Sequence, residues 1–361
     1  MKLIHYLILL VFITSCIENS VFIPPNNKNI DYQGRIDTLN SDKYNLYWSG
    51  SSIKINFKGT SVKALLKDEK GENYYNVILD DSVINILYMD TTKKWYNLAS
   101  NLNNEKHVIK LFKRTEYDRG KTSFYGFEIS KHGIIYPLEK NKKTIEFFGN
   151  SITCGYGVED YSGKDSPDSI YTNNYLTYAN LTARHFNANY YCTAKSGIGI
   201  MISWFDYTIY KIWDKIDPME TNSKWDFSKI QPDIVVINLF QNDSWLVNKP
   251  ERKEFKEIFG TTPPDETYII NSYIEFIKKI RSAYPNTNII CALGSMDATK
   301  EGSLWPGYIK KSVERIKKEN SDNKLFTHFF PYKNTPGHPK VEEHKVMAKS
   351  LINFINENIE W

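Results

Sequence analysis

Between residues 33 and 135 apolar and polar positions alternate in short runs. Ile53, Ile55 and Phe57 fall on one side and Lys54 and Asn56 on the other, the period-two pattern of a half-covered strand. Val77-Ile78-Leu79 runs into an Asp80-Asp81-Ser82 turn, and His107 to Phe112 and Phe124 to Ile129 repeat the pattern. Gly50, Gly59, Gly71 and Gly120 punctuate these runs, and no long amphipathic helix interrupts them. Many short strands without helices predict a β-sandwich or jelly roll.

From residue 140 to 361 the texture changes. Thr144 to Phe148, Tyr190 to Ala194, Ile234 to Leu239, Ile289 to Leu293 and Leu325 to Phe330 are strand-length apolar runs, as expected for strands covered on both faces. Between and after them, Tyr273, Phe276, Ile277, Ile280 and Tyr284 recur at helical spacing, as do Val341, Met347, Ala348, Leu351 and Phe354. Strands alternating with helices predict a parallel α/β sheet.

Composition adds limits. A chain of 361 residues is long for one core, which agrees with two domains. The net charge of +4 is too small to imply a nucleic-acid partner, so Lys310-Lys311 and Lys317-Lys318 read as solvated helix faces. Aromatic residues make up 14% of the chain, and their apolar faces suit sugar rings as well as core packing.

The amino terminus carries an address. Lys2 precedes an apolar run from Leu7 to Ile13, too short for a spanning helix, and Thr14-Ser15-Cys16 follows. Ile13-Thr14-Ser15-Cys16 resembles a bacterial lipobox, which implies a signal peptide over residues 1–15 and a lipid anchor on Cys16. The expected location is outside the cytoplasm, lipid-anchored to a bacterial membrane. Residues 16–32, rich in Asn and Pro, read as a tether. Cys154, Cys192 and Cys291 lack CxxC spacing and read as buried free thiols.

In a parallel sheet ligands bind beyond the carboxyl ends of the strands, so the segments following each apolar run are the places to look for chemistry. Gly149-Asn150-Ser151-Ile152-Thr153 follows the first run and Ser196-Gly197 the second. Gln241-Asn242-Asp243 follows the third, and Gly337-His338-Pro339 precedes the last helix. A serine hydroxyl needs a base to become a nucleophile, and neutral histidine suits that role. The oxyanion formed in acyl transfer needs aimed donors, for which the Ser151 N–H, the Gly197 N–H and the Asn242 amide are candidates. No histidine pair has metal-ligand spacing, so neither metal nor cofactor is expected. Tyr156 and Trp245, just after the serine and asparagine segments, are candidates for substrate contact.

These four segments, in this order, resemble the blocks of SGNH hydrolases. With Gly34-Arg35, Tyr47-Trp48-Ser49-Gly50 and Lys113-Arg114-Thr115-Glu116 in the β-rich part, nearly the whole chain resembles carbohydrate esterase family 2. The resemblance implies a jelly-roll domain followed by a flavodoxin-like three-layer α/β/α SGNH domain. It also implies a serine esterase that removes O-acetyl groups from polysaccharides or oligosaccharides of the xylan or glucomannan type; a monomer is expected.

Two positions depart from the pattern. Phe240 stands where the GxND block has glycine, and Thr335 stands where the DxxH block has its aspartate. A Ser151–His338 dyad is therefore expected, its imidazole oriented by a main-chain carbonyl within residues 334–336. The same departures raise two alternatives: a carbohydrate-binding surface lipoprotein with a decayed site, and a lipase or acylhydrolase of other specificity.

Overall fold

A computed structural model describes residues 20–139 and 141–361. Cys16 and the leader lie outside the described residues.

The N-terminal part is two facing antiparallel sheets. Ser52–Lys58 pairs with Lys106–Lys113, which pairs in turn with Tyr74–Leu79, and Thr122–Ile129 pairs with Val62–Asp68 in the opposite sheet. Ile53, Ile55 and Phe57 are buried between the sheets with Leu111, Phe124 and Phe127, as their alternation predicts.

The tether expected over residues 16–32 is corrected where it is described. Val21–Ile23 pairs with Thr122–Ile129, and Ile23 is buried in the sandwich. Pro24 O accepts the Asn27 N–H, and Pro25 O accepts the Tyr32 hydroxyl at 2.6 Å. Asn and Pro here serve turns that fasten the chain, which composition alone does not separate from a flexible linker.

The C-terminal part is a parallel sheet in the order Asn189–Ala194, Thr144–Gly149, Ile234–Asn238, Asn288–Leu293, Leu325–Phe329. Helices Tyr178–His185 and Val341–Asn358 cover one face through Ile145, Phe147, Val236 and Leu351. Glu266–Ala283 and Trp305–Asn320 cover the other through Phe148, Val235, Ile237 and Ile277. Thr144–Gly149 leads first to a strand on one side, and the chain then crosses to the other. Its carboxyl end is the switch point where such a sheet opens a crevice.

Buried, hydrogen-bonded polar groups join the two parts. The Arg35 guanidinium, almost fully buried, donates to Glu146 at 2.8 Å and to the carbonyl of Trp213 at 2.6 Å. Tyr284 donates to the other Glu146 oxygen at 2.7 Å. A buried ion pair needs such extra bonds to offset its desolvation. Arg114 reaches Glu159 and the carbonyl of Ile170, and Trp48 Nε1 donates to the Ile216 carbonyl at 2.9 Å. Among the described residues no helix is long and apolar enough to cross a membrane. Cys154, Cys192 and Cys291 are buried free thiols.

Candidate active site

Thr144–Gly149 delivers Ser151 to the crevice. Asn150 caps the short helix Ser151–Cys154 by accepting the Ile152 N–H at 3.1 Å. A Cβ at Gly149 would lie 2.1 Å from Thr153 Oγ1, so only glycine lets the strand turn this tightly into the helix.

His338 arrives from the loop before the last helix and places Nε2 2.8 Å from Ser151 Oγ. Its Nδ1 is 2.7 Å from Asp165 Oδ2. This carboxylate corrects the expected dyad: it comes from the loop after Ser151, not from the position three before the histidine. Of the three carbonyls expected as acceptors, those of Thr335 and Pro336 accept Lys333 Nζ, at 2.8 and 3.4 Å.

Asp165 is held from several sides. It accepts the His338 backbone N–H at 2.9 and 3.0 Å and Lys340 Nζ at 3.2 Å. Gly337, at φ 71°, makes this approach possible, because a Cβ there would stand 2.6 Å from Asp165 Oδ1. Burial works to raise the Asp165 carboxyl pKa. The His338 hydrogen bonds and charge, with Lys340, outweigh burial and hold it well below the usual carboxylate range. Asp165 is therefore ionised, which fixes the proton on Nδ1 and leaves Nε2 free to accept from Ser151.

Asn242 stands at the end of the next strand. Its Nδ2 donates to the Ile198 carbonyl at 2.8 Å and its Oδ1 accepts Trp204 Nε1 at 3.0 Å, which sets the amide's direction. Gly197 adopts φ 82° and its carbonyl accepts the Trp204 N–H at 3.0 Å. Neither the Ser151 nor the Gly197 N–H donates to a group of the described residues. Asp243 shapes the adjoining loop by accepting the N–H groups of Ile200, Met201 and Ile202 at 3.1, 2.7 and 3.2 Å. Burial pushes its carboxyl up to about 6 against those three bonds.

Tyr156 packs edge-on against the His338 ring at 5.0 Å, and its hydroxyl donates to the Asp165 carbonyl at 3.2 Å. Trp245 Nε1 donates to Asp297 at 2.7 and 2.8 Å, and the residue lines a cavity of about 640 Å³ with Trp305 and Leu304, a lining that does not include Ser151 or His338. Phe240 takes the left-handed conformation, φ 81°, that glycine supplies elsewhere, and its ring is buried against Tyr273 and Trp305. Among the described residues no cluster of three or more His, Cys, Asp or Glu is arranged to hold a metal.

The comparisons with known proteins agree with this architecture. Residues 32–138 match the family model for the carbohydrate esterase 2 N-terminal domain, and residues 147–337 match the GDSL-like lipase/acylhydrolase family. A solved family two carbohydrate esterase from Clostridium thermocellum, in complex with cellohexaose, is 31% identical with a TM-score of 0.81. The match covers 91% of this chain and 98% of that one. The chain belongs to carbohydrate esterase family 2.

Among curated relatives of this family 2 chain, the cellulase/esterase CelE of Acetivibrio thermocellus is 30% identical over 95% of the chain. The chain spans 41% of the length of CelE. An acetylxylan esterase/glucomannan deacetylase of Cellvibrio japonicus is 26% identical, with 87% of this chain and 86% of that protein covered.

Asp165, Lys340, Trp204 and Glu116 were not singled out as site residues from sequence. Asp165 lies in Tyr161-Ser162-Gly163-Lys164-Asp165, which reads as an ordinary polar loop. The usable signal was Gly337 beside His338, a glycine whose missing side chain admits the carboxylate.

Proposed function

We propose that this family 2 chain is a serine esterase that removes O-acetyl groups from polysaccharides or oligosaccharides. The observation that carries this reading is the continuous relay from Asp165 through His338 to Ser151, at 2.7 and 2.8 Å. The acetylxylan esterase/glucomannan deacetylase activity for which the Cellvibrio relatives are named supports acetylated xylan or glucomannan as the substrate class.

In this reading His338 Nε2 takes the Ser151 proton as Oγ attacks the acetyl carbonyl, and the forming imidazolium rests against ionised Asp165. The Ser151 and Gly197 N–H groups and the Asn242 amide receive the oxyanion; losing one such donor costs roughly 100- to 1000-fold in rate. His338 then returns the proton to the departing sugar hydroxyl, and water repeats the cycle on the acetyl-enzyme. Tyr156 contributes by walling the imidazole. The complete relay argues against a decayed site that only binds carbohydrate, since the missing aspartate was the main reason to consider one. Export and lipid attachment at Cys16, with the catalytic part held outside the cytoplasm, complete the proposal on the strength of the leader sequence.

Acetate release from acetylated xylan, acetylated glucomannan and an aryl acetate, with Ser151→Ala as control, tests it. Turnover confined to long-chain acyl esters would replace the deacetylase reading by a lipase, and glycan binding without acetate release would end the esterase reading.

A further inference from the structure

A second cavity, of about 890 Å³, lies between the outer face of the Ser52–Lys58, Lys106–Lys113 and Tyr74–Leu79 sheet and the helix Tyr178–His185. It meets the parallel sheet at Ala188 and Tyr190, where Asn189–Ala194 begins. Ser151 follows the other, carboxyl end of the neighbouring strand, and neither it nor His338 or Asp165 lines this cavity. The volume lies in the range of sites that hold a small ligand.

Its walls carry an unusual charge arrangement. Lys54 and Lys110 are direct cross-strand partners, and both side chains project into the cavity. Like charges directly opposite one another are unfavourable in a sheet, and more so where water is partly excluded. Asp31 relieves Lys54 at 3.5 Å, whereas Lys110 makes no ion pair or side-chain hydrogen bond among the described residues and feels Asp81 and Asp31 only from a distance. Burial, with Lys54 adding to it, pulls the Lys110 ammonium down to about 8, so it remains mostly charged at neutral pH. Arg184 adds a third cation, fixed by stacking on the Tyr175 ring at 3.9 Å. The acids around the cavity, Asp80, Asp81 and Glu139, are exposed, and Asp80 is already engaged by His107 and by the Val108 N–H.

The remaining lining narrows the ligand. Asn56 Oδ1 and Asn180 Oδ1 are buried acceptors without a partner among the described residues, and Asn180 as a whole is 3% exposed. Unpaired carbonyl oxygens call for O–H or N–H donors, and the hydroxyls of a sugar supply them. Phe112 and Tyr175, edge to face at 5.2 Å, supply an apolar surface beside them. A phosphate offers no apolar face, and the exposed acids repel a polyanion.

We propose that this cavity binds a uronosyl unit of an acidic oligosaccharide, its carboxylate between Lys54 and Lys110 and its hydroxyls on Asn56 and Asn180. The site is independent of the esterase reading and would hold an acidic side group of a polysaccharide while the crevice at Ser151 works on another part.

Calorimetric titration of the full chain with two unacetylated probes tests it: a xylo-oligosaccharide bearing one glucuronosyl side group, and its neutral counterpart of equal length. The acidic probe is expected to bind more tightly by roughly tenfold or more, the scale of one charge-assisted hydrogen bond. Lys110→Met, which keeps the apolar stem and drops the charge, is expected to abolish that preference, and Lys54→Met to weaken it. Aryl acetate turnover should stay unchanged in both variants, so loss of the preference is read separately from any failure of the catalytic reading. Equal affinity for the two probes, or a preference that survives both substitutions, overturns the proposal. Should Lys110→Met not fold, the Lys54→Met titration decides by the same criterion.

Discussion

Glu116, carried by the N-terminal domain, accepts the backbone N–H of Ser196 at 2.7 Å, one residue before Gly197. The same carboxylate accepts the Ser196 hydroxyl and Lys195 Nζ, the latter at 3.3 Å. Lys113 holds the turn that carries it by donating to the carbonyls of Thr115 and Glu116, each at 3.0 Å. The β-sandwich thus fixes the loop that carries Gly197, a proposed oxyanion donor. Glu116→Ala is expected to lower kcat on an aryl acetate by roughly 10- to 100-fold with little change in KM, the scale of a hydrogen bond to a charged group. Glu116→Gln should recover part of it. A fall in thermal stability with kcat intact would reduce Glu116 to a domain fastener.

The Asp165–His338 contact gives the sharpest discrimination between a triad and a dyad. Asparagine at 165 keeps the shape but removes the charge that fixes the Nδ1 proton. A fall in kcat of about 1000- to 10,000-fold is expected, by analogy with removal of the acid from other serine triads. Because Lys340 also contacts Asp165 at 3.2 Å, Lys340→Met should give a smaller loss in the same direction. An Asp165→Asn enzyme within tenfold of the parent would restore the dyad.

Much of this architecture was legible because periodicity is local. Ile53, Ile55 and Phe57 report a covered strand face by themselves, and the apolar run before Ser151 reports a strand buried on both faces. The pairing of Ser151 with His338 was legible because one follows such a run and the other precedes the last helix. Asp165 was not, since its role is set by a contact 173 positions away along the chain and by the absence of a side chain at Gly337. Val21–Ile23 was misread for a related reason: a three-residue strand has too few alternations to register, and only its pairing with Phe127, Glu128 and Ile129 identifies it.

His344 supplies a pH test of stability. It is fully buried, its Nδ1 accepts the Tyr178 N–H at 3.1 Å, and burial pulls its pKa down to about 3 from 6.5. The unfolded chain takes up this proton first, so the stabilisation is present above pH 6.5 and is lost as pH falls toward 3. The loss is about 1.4 kcal/mol per pH unit in that window. Urea midpoints at pH 7 and pH 5 should therefore separate more for the parent than for His344→Gln. Equal separations would assign the acid sensitivity to other groups.

Phe240 offers a test in which two effects oppose each other. Its φ of 81° costs a side-chain-bearing residue roughly 1–2 kcal/mol. The buried ring, 4.7 Å from Tyr273 and 5.1 Å from Trp305, contributes about 3–5 kcal/mol of packing that truncation would remove. Packing is the larger effect, which explains how a strained phenylalanine occupies a position where the family pattern has glycine. Both Phe240→Gly and Phe240→Ala should destabilise the chain. The glycine variant should be the more stable of the two by about 1 kcal/mol, the reverse of their usual order, because only glycine is released from the left-handed strain. Asn242 remains tied to Ile198 and Trp204 in either variant, so activity at low temperature should persist. An alanine variant as stable as the glycine variant would mean that the backbone relaxes out of the left-handed region once the ring is gone.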